Sequence, residues 1–235
     1  LKILCSQSSQ QQIPMSQLTT NKAVATPLCS WSLGSYNCRG LTNSVKRAYV
    51  SELLPKFDFF MIQEHWLNDK QIDQLHSLSC NHFVMGVSGF DSREVLQGRP
   101  YGGCAIFWKR NLKAVIKTLP TNSNRLCAMR ICNDNFNVLL INVYMPCESD
   151  DASYFDFSVQ LSVIQSLAEQ NSDCQCIIAG DFNVDFNRSW SHTELLNVFC
   201  SNIDLCPVDR HAKNKVDYTY SFNMTRFSVL DHFLL

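Results

Sequence analysis

Apolar residues in this chain gather into short runs rich in β-branched and aromatic side chains, and between some of those runs they recur at helical spacing. A short apolar run bounded by turn residues reads as a buried strand, and an i, i+3, i+4 recurrence reads as an amphipathic helix. Leu28 to Tyr36 therefore predicts a strand that runs into the polar turn Asn37-Cys38-Arg39-Gly40. Ser44 to Leu54 predicts a helix stopped by Pro55, and Phe57 to Ile62 a second buried strand that delivers Gln63-Glu64-His65-Trp66. A polar helix carrying Ile72, Leu75 and Leu78 follows, then a short strand at Phe83 to Val87 and a charged loop from Ser88 to Pro100. The next strand is entered through Gly102-Gly103 and runs to Trp108. Val115-Ile116, Arg125 to Ile131 and Phe136 to Tyr144 predict a meander, with turns such as Asn133-Asp134-Asn135 between strands. Tyr154 to Gln170 has helical periodicity, with Asp150 or Ser153 as its cap. Cys176 to Asp181 is a further buried strand, Thr193 to Ser201 a helix, and Phe227 to Leu235 a last strand. Helices between some strands and hairpins between others point to a two-sheet α/β sandwich, not a simple parallel βαβ wind.

Residues 1–27 carry neither period. Cys5 to Thr26 is rich in Ser, Gln and Thr, so 1–27 is expected to be a disordered leader or linker and 28–235 the folded domain. A chain of 235 residues with 46% hydrophobic and 17% charged residues has ample means to bury a core. Its formal net charge of -1 supplies no global positive field, so nucleic-acid binding would rest on a local patch and weaken with salt. No apolar run is long enough to span a bilayer and no signal peptide is evident, so no membrane partner is expected and an intracellular location is. The twelve cysteines sit mostly singly in apolar runs, as at Cys104, Cys127 and Cys147, which reads as reduced thiols used as small core residues. Cys200, Cys206 and His211 match no standard zinc spacing.

The chemistry centres on Cys176-Ile177-Ile178-Ala179-Gly180-Asp181-Phe182-Asn183-Val184-Asp185. A buried strand here ends at a glycine, and the carboxyl ends of strands are where α/β proteins gather their functional side chains. Gly180 permits a sharp turn, after which Asp181 and Asn183 can point to one side. A carboxylate beside a carboxamide can hold and polarise a water. Alone, an Asp-x-Asn is more simply an Asx turn. Its company changes that reading, because Asn37, Glu64 and Tyr144 also stand where apolar strands emerge. Together they supply a carboxylate for a hard cation, a phenol, an amide and a general base, the inventory for metal-assisted attack of water on a phosphodiester.

Ser35-Tyr36-Asn37-Cys38-Arg39-Gly40-Leu41, Ile62-Gln63-Glu64, Asn142-Val143-Tyr144-Met145-Pro146 and Gly180-Asp181-Phe182-Asn183 occur in the order and rough spacing of the endonuclease/exonuclease/phosphatase superfamily. The chain resembles that superfamily from about Leu28 to its end. Gly98-Arg99-Pro100-Tyr101-Gly102-Gly103-Cys104-Ala105-Ile106, Tyr218-Thr219-Tyr220 and Ser228-Val229-Leu230-Asp231-His232-Phe233-Leu234 are most similar to the apurinic-endonuclease-like endonuclease domain of LINE-type (non-LTR) retrotransposon polyproteins. The resemblance implies a four-layered α/β sandwich of two mixed β-sheets flanked by helices. It also implies DNA nicking for target-primed reverse transcription, with Mg²⁺ as cofactor and Mn²⁺ as its substitute, by a domain linked to a downstream reverse transcriptase. A nuclear location follows from that substrate alone.

By the same resemblance, Glu64 would bind the metal, with Asn37 supporting the metal shell or a phosphate oxygen. Tyr144 would donate to the scissile phosphate, and Asp181, held by Asn183, would activate the water or manage the leaving group's proton. Arg39, Thr219 and Ser228 would contact the substrate, and Asp231 would orient a phosphate-binding histidine. That histidine is the departure from the pattern. Family members carry it in a Ser-Asp-His segment on a further strand, this chain ends before such a segment, and Asp231-His232 is not expected to replace it. The expectation is therefore a sheet lacking its last strand and a chain with little or no nuclease activity. The rival readings are a phosphatase or sphingomyelinase-type member of the same superfamily, which should carry longer substrate loops or membrane-directed segments, and a non-catalytic retroelement remnant.

Overall fold

The computed structural model describes residues 2–5, 13–14, 30–93, 95–96, 98, 100–210 and 217–235. Most of the expected leader lies outside the described residues, as do Leu28, Arg99 and His211. Within the leader two short strands are described, β1 (Lys2–Cys5) and β2 (Ile13–Pro14). The chain continues through β3 (Ser32–Asn37), α1 (Ser44–Leu53), β4 (Phe59–Gln63), β5 (His82–Val87) and β6 (Cys104–Lys109). It then forms β7 (Val115–Leu119), β8 (Leu126–Cys132), β9 (Asn137–Tyr144), α2 (Asp151–Gln170), β10 (Gln175–Asp181) and α3 (Ser191–Asn202). A hairpin of β11 (Tyr220–Phe222) and β12 (Arg226–Ser228) leads into β13 (Asp231–Leu234).

One sheet runs β2-β1-β3-β4-β6-β5 and the other β13-β10-β9-β8-β7. Both are mixed: β3 pairs with β4 and β10 with β9 in parallel, while β6 lies antiparallel to β4 and β13 antiparallel to β10. The layers follow from strand periodicity, since successive side chains face opposite ways. On β4, Phe59 and Met61 join the core between the sheets, whereas Phe60 and Ile62 pack with Val50 and Leu53 of α1. On β9, Leu140 faces the other sheet, whereas Leu139, Ile141 and Val143 pack with Phe157, Leu161 and Ile164 of α2 and with Leu196 of α3. The result is helix, sheet, sheet, helices, the four-layered sandwich that the motif resemblance implied.

A buried amide pair crosses the apolar interior between the sheets. Gln63 Nε2 donates to Asn142 Oδ1 at 2.6 Å and to Ser35 Oγ at 3.0 Å. Asn142 Nδ2 returns bonds to the carbonyls of Ile62 at 3.0 Å and Ala105 at 2.9 Å. Both side chains are fully buried, so this network fixes how the sheets register against each other.

Two expectations need correction. The stretch around Ile72 forms a 3-10 helix, Ile72–Leu78, because polar residues leave it only Leu75 and Leu78 to bury. The last strand is two strands, broken at Val229-Leu230, where the Thr219 hydroxyl oxygen accepts from the backbone N–H groups of Leu230 at 2.9 Å and Asp231 at 3.1 Å. Cys38, Cys104, Cys127 and Cys200 are buried cysteines outside any disulfide, whereas Cys147, expected in the core, is exposed. No helix among the described residues is long and apolar enough to cross a membrane.

Candidate active site

The carboxyl ends of β3, β4, β9 and β10 meet at one rim of the sandwich, and each brings a polar side chain there. Gly180 makes the approach of β9 and β10 close enough: its φ is +140°, and a Cβ there would sit 2.1 Å from the Val143 carbonyl oxygen. Asp181 then emerges paired with Tyr144 of β9 on one side and with Asp231 of β13 on the other. Side chains paired across neighbouring strands share a face, so these three polar groups lie in a row.

Asn37 joins the two sheets at this rim. Its amide nitrogen donates to Glu64 Oε1 at 2.8 Å and to Asp181 Oδ2 at 2.7 Å, and its Oδ1 accepts from the Arg39 backbone N–H at 3.1 Å. The Asn37 nitrogen faces the two carboxylates and clamps them, while its oxygen accepts from the backbone. Asp181 Oδ1 accepts from the Asn183 backbone N–H at 2.9 Å, and the Asn183 side chain donates to the Met145 carbonyl at 2.8 Å. Asn183 therefore holds the turn after β10, in the left-handed conformation at φ +51°.

Negative charge is concentrated here. Burial raises the Asp181 carboxyl to about 6, against the lowering effect of the Asn37 and Asn183 hydrogen bonds, and Glu64 adds to the rise. Partial burial and the neighbouring Asp181 push the Asp231 carboxyl up as well. The Tyr144 phenol is raised by burial first and then by Glu64, Cys147 and Asp181. Arg39 opposes these shifts at both aspartates, and its guanidinium stands 4.8 Å from the Tyr220 ring centroid. Arg125 stands 5.5 Å from the Tyr144 ring centroid and donates to the Tyr144 carbonyl at 3.3 Å.

Two expected substrate contacts are placed differently. Thr219 is buried and its hydroxyl serves the backbone entering β13, so it positions Asp231 and does not face outward. Ser228 is buried too, its Oγ accepting from Arg188 Nη2 at 2.8 Å. The histidines next to site residues are also turned away. His232 has Nδ1 3.1 Å from Asp209 Oδ2 and Nε2 2.7 Å from the Val184 carbonyl, on the face of β13 opposite Asp231. His65 has Nε2 3.1 Å from the Val87 carbonyl, and its Nδ1 accepts from the Leu67 N–H. The His232 ring nitrogens thus engage Asp209 and Val184 and not the Asp231 carboxylate.

The sequence reading passed over Trp66, whose indole N–H donates to Glu64 Oε2 at 3.1 Å. Nothing local signals this, because the contact needs the left-handed backbone of both Glu64 and Trp66. Sequence pattern marks Arg125 only as the start of a strand. Its place at the site comes from the pairing of β8 with β9.

The sequence pattern of the Endonuclease/Exonuclease/phosphatase family matches residues 34–235, nearly the whole described fold and every residue of the rim. The chain belongs to this family. Its members are hydrolases acting on phosphodiester bonds. Solved structures share the fold at low identity. The endonuclease domain of TRAS1, a telomere-specific non-LTR retrotransposon, is 14% identical with a TM-score of 0.60, covering 85% of this chain and 82% of its own. The AP endonuclease LMAP of Leishmania major is 15% identical with a TM-score of 0.65, covering 85% of this chain and 77% of its own. The 3' phosphatase NExo of Neisseria, bound to a product DNA hairpin, is 17% identical with a TM-score of 0.63, covering 87% of this chain and 86% of its own. No curated protein sequence matches the chain.

Proposed function

We propose that this chain is the DNA-nicking endonuclease module of a non-LTR retrotransposon, hydrolysing a phosphodiester with a divalent cation. One observation carries the reading: a single amide nitrogen of Asn37 holds Glu64 and Asp181, carboxylates delivered by different sheets, with Tyr144 and Asp231 flanking Asp181. Among the described residues no three His, Cys, Asp or Glu side chains form a metal cage. Mg²⁺ does not need one, since it takes one or two carboxylates, keeps several waters and accepts phosphate oxygens. Burial first, and then Glu64 beside Asp181 and Asp181 beside Asp231, raises both aspartates, which fits a site completed by a cation. Glu64 would hold Mg²⁺, or Mn²⁺ in its place, and the ion would supply charge neutralisation at the phosphate.

The chain's own groups supply the rest of the mechanism. Asp181, raised by burial, accepts a proton from the attacking water, and Asn37 and the Asn183 N–H keep its oxygens aimed. Tyr144, kept protonated by the same surroundings, donates to a non-bridging oxygen. Arg39 brings positive charge to the two aspartates, while Arg125 and Arg188 are paired with Asp156 and Asp185, so a chain of net charge -1 would bind DNA through a small local patch. The ring nitrogens of His65 and His232 are engaged by backbone groups and Asp209, so phosphate binding rests on Tyr144 and Arg39, and turnover is expected to be slow.

A supercoiled plasmid incubated with the chain and Mg²⁺ should be nicked slowly, and Glu64→Ala should reduce the rate by about 10²-fold or more. Nicking that survives Glu64→Ala would refute the assignment of the metal carboxylate, and rapid nicking by the unaltered chain would refute the need for a further phosphate ligand. Release of inorganic phosphate from a 3'-phosphorylated oligonucleotide without nicking would favour a phosphatase, in keeping with the fold shared with NExo. Failure to bind Mg²⁺ or to cleave at all would favour a non-catalytic remnant.

A further inference from the structure

We propose that Trp66 is a positioning residue for Glu64, and that through this bond it sets the affinity of the site for its divalent cation. The proposal rests on the metal-dependent reading above and concerns a contact that reading does not use.

The segment Glu64-His65-Trp66 leaves β4 in an unusual form. Glu64 has φ +54° and Trp66 has φ +60°, both left-handed positions that L side chains seldom take, flanking a fully buried His65. External contacts hold this shape. The Trp66 N–H donates to the Gly102 carbonyl at 3.0 Å, the Gly40 N–H to the Glu64 carbonyl at 2.6 Å, and the Leu41 N–H to the His65 carbonyl at 3.0 Å. The His65 ring fills the space beside Gly103, where a Cβ would meet Cε1 at 2.3 Å.

This bracket turns the indole back over the strand end. Its six-membered ring lies on Gly40, where a Cβ would sit 2.3 Å from Cε3, and Lys46 Nζ stands 5.6 Å from the ring centroid while donating to the Arg39 carbonyl. The indole N–H then reaches Glu64 Oε2 at 3.1 Å, while Asn37 Nδ2 holds Oε1 at 2.8 Å. Each carboxylate oxygen thus has one N–H donor and keeps lone pairs free for a cation. An indole N–H only donates, so Trp66 cannot replace Glu64 as a ligand. Being neutral, it also does not repel the ion it serves. Groups that orient a metal ligand in this way typically change affinity by about 10- to 100-fold when lost.

The test uses Mn²⁺ and Mg²⁺ on the full chain. Trp66→Phe keeps a ring over Gly40 and removes the N–H. It should weaken Mn²⁺ binding, read by calorimetry, about 10-fold. It should raise the Mg²⁺ concentration for half-maximal nicking by a similar factor and leave KM for DNA unchanged. A structural role alone would not separate metal affinity from KM. Mn²⁺ affinity within twofold of the unaltered chain would overturn the proposal and leave the metal site standing, whereas no Mn²⁺ binding by the unaltered chain would overturn both. Should Trp66→Phe fail to fold, the NMR resonance of the Trp66 indole N–H, one of four such signals, reads the same contact without altering it. Mg²⁺ should shift that resonance in the unaltered chain and not in Glu64→Gln, and the absence of any shift would overturn the proposal.

Discussion

Asp181 and Asp231 face each other across β10 and β13, and both titrate higher in the folded chain than in the unfolded one. The folded state therefore binds more protons between the two values, and stability falls as pH rises. The contribution is fully present below about pH 4, the ordinary carboxylate value. It is lost as pH climbs through about 6 for Asp181 and about 8 for Asp231. His232 acts in the same direction, because its contact with Asp209 raises it despite burial, and that share is lost as pH rises through its folded value. Urea midpoints should therefore decline from acid to mildly alkaline pH, and Asp231→Asn should flatten the upper part of the decline. An unchanged profile in Asp231→Asn would show that the pair is not the cause. Added Mg²⁺ should stabilise more at alkaline than at acid pH, since cation binding requires the carboxylates deprotonated.

The same site depends on how its elements end. Strand β10 could not lie close to β9 with any side chain at Gly180, because the Val143 carbonyl occupies that space. Gly180→Ala should destabilise by about 3 kcal/mol, combining backbone strain with overpacking. Gly98→Ala is the control, since Gly98 also has positive φ but nothing within 4 Å of a Cβ, and it should cost about 1 kcal/mol. Thermal and urea melts of the two variants distinguish steric from conformational cost. Element boundaries were legible where local chemistry marks them. Of the two caps the sequence offered, Asp150 is the N-cap of α2, and Ser153 completes the capping box from inside the helix. The β11–β12 hairpin was not legible, because its turn at Asn223-Met224 uses left-handed residues without a glycine. Phe227 to Leu235 reads as one strand, and contacts from outside it, from the Thr219 hydroxyl and the Phe182 N–H, meet it at the break.

At the scale of the whole molecule, Gln63 and Asn142 hold the sheets in the registration that the rim requires. Asn142→Leu would leave the carbonyls of Ile62 and Ala105 and the Gln63 amide without this partner, at a cost of about 3 kcal/mol. Gln63→Leu in that background should cost less than it does alone, with a coupling of about 1–3 kcal/mol in a double-mutant cycle. Additive effects would show that the two side chains do not act as one tie. Loss of the tie should also weaken metal binding, because Gln63 precedes Glu64 and Asn142 lies on the strand that carries Tyr144.

Local pattern determined much of this protein. Apolar runs marked β4, β9 and β10, helical spacing marked α1 and α2, and motif order led to the four-layered fold and to Asn37, Glu64, Tyr144, Asp181 and Asp231 as one set. Periodicity reports which face of an element is buried, and that suffices to set the layers. Tertiary structure alone decided which atoms meet. Asn37 and Asp181 are 144 residues apart in sequence, and their bond depends on two sheets registering through one buried amide pair. The inward turn of Thr219 and Ser228, the clamping of Glu64 and Asp181 by the Asn37 nitrogen and the reach of Trp66 to Glu64 follow from backbone angles and long-range packing, which no local run of residues encodes.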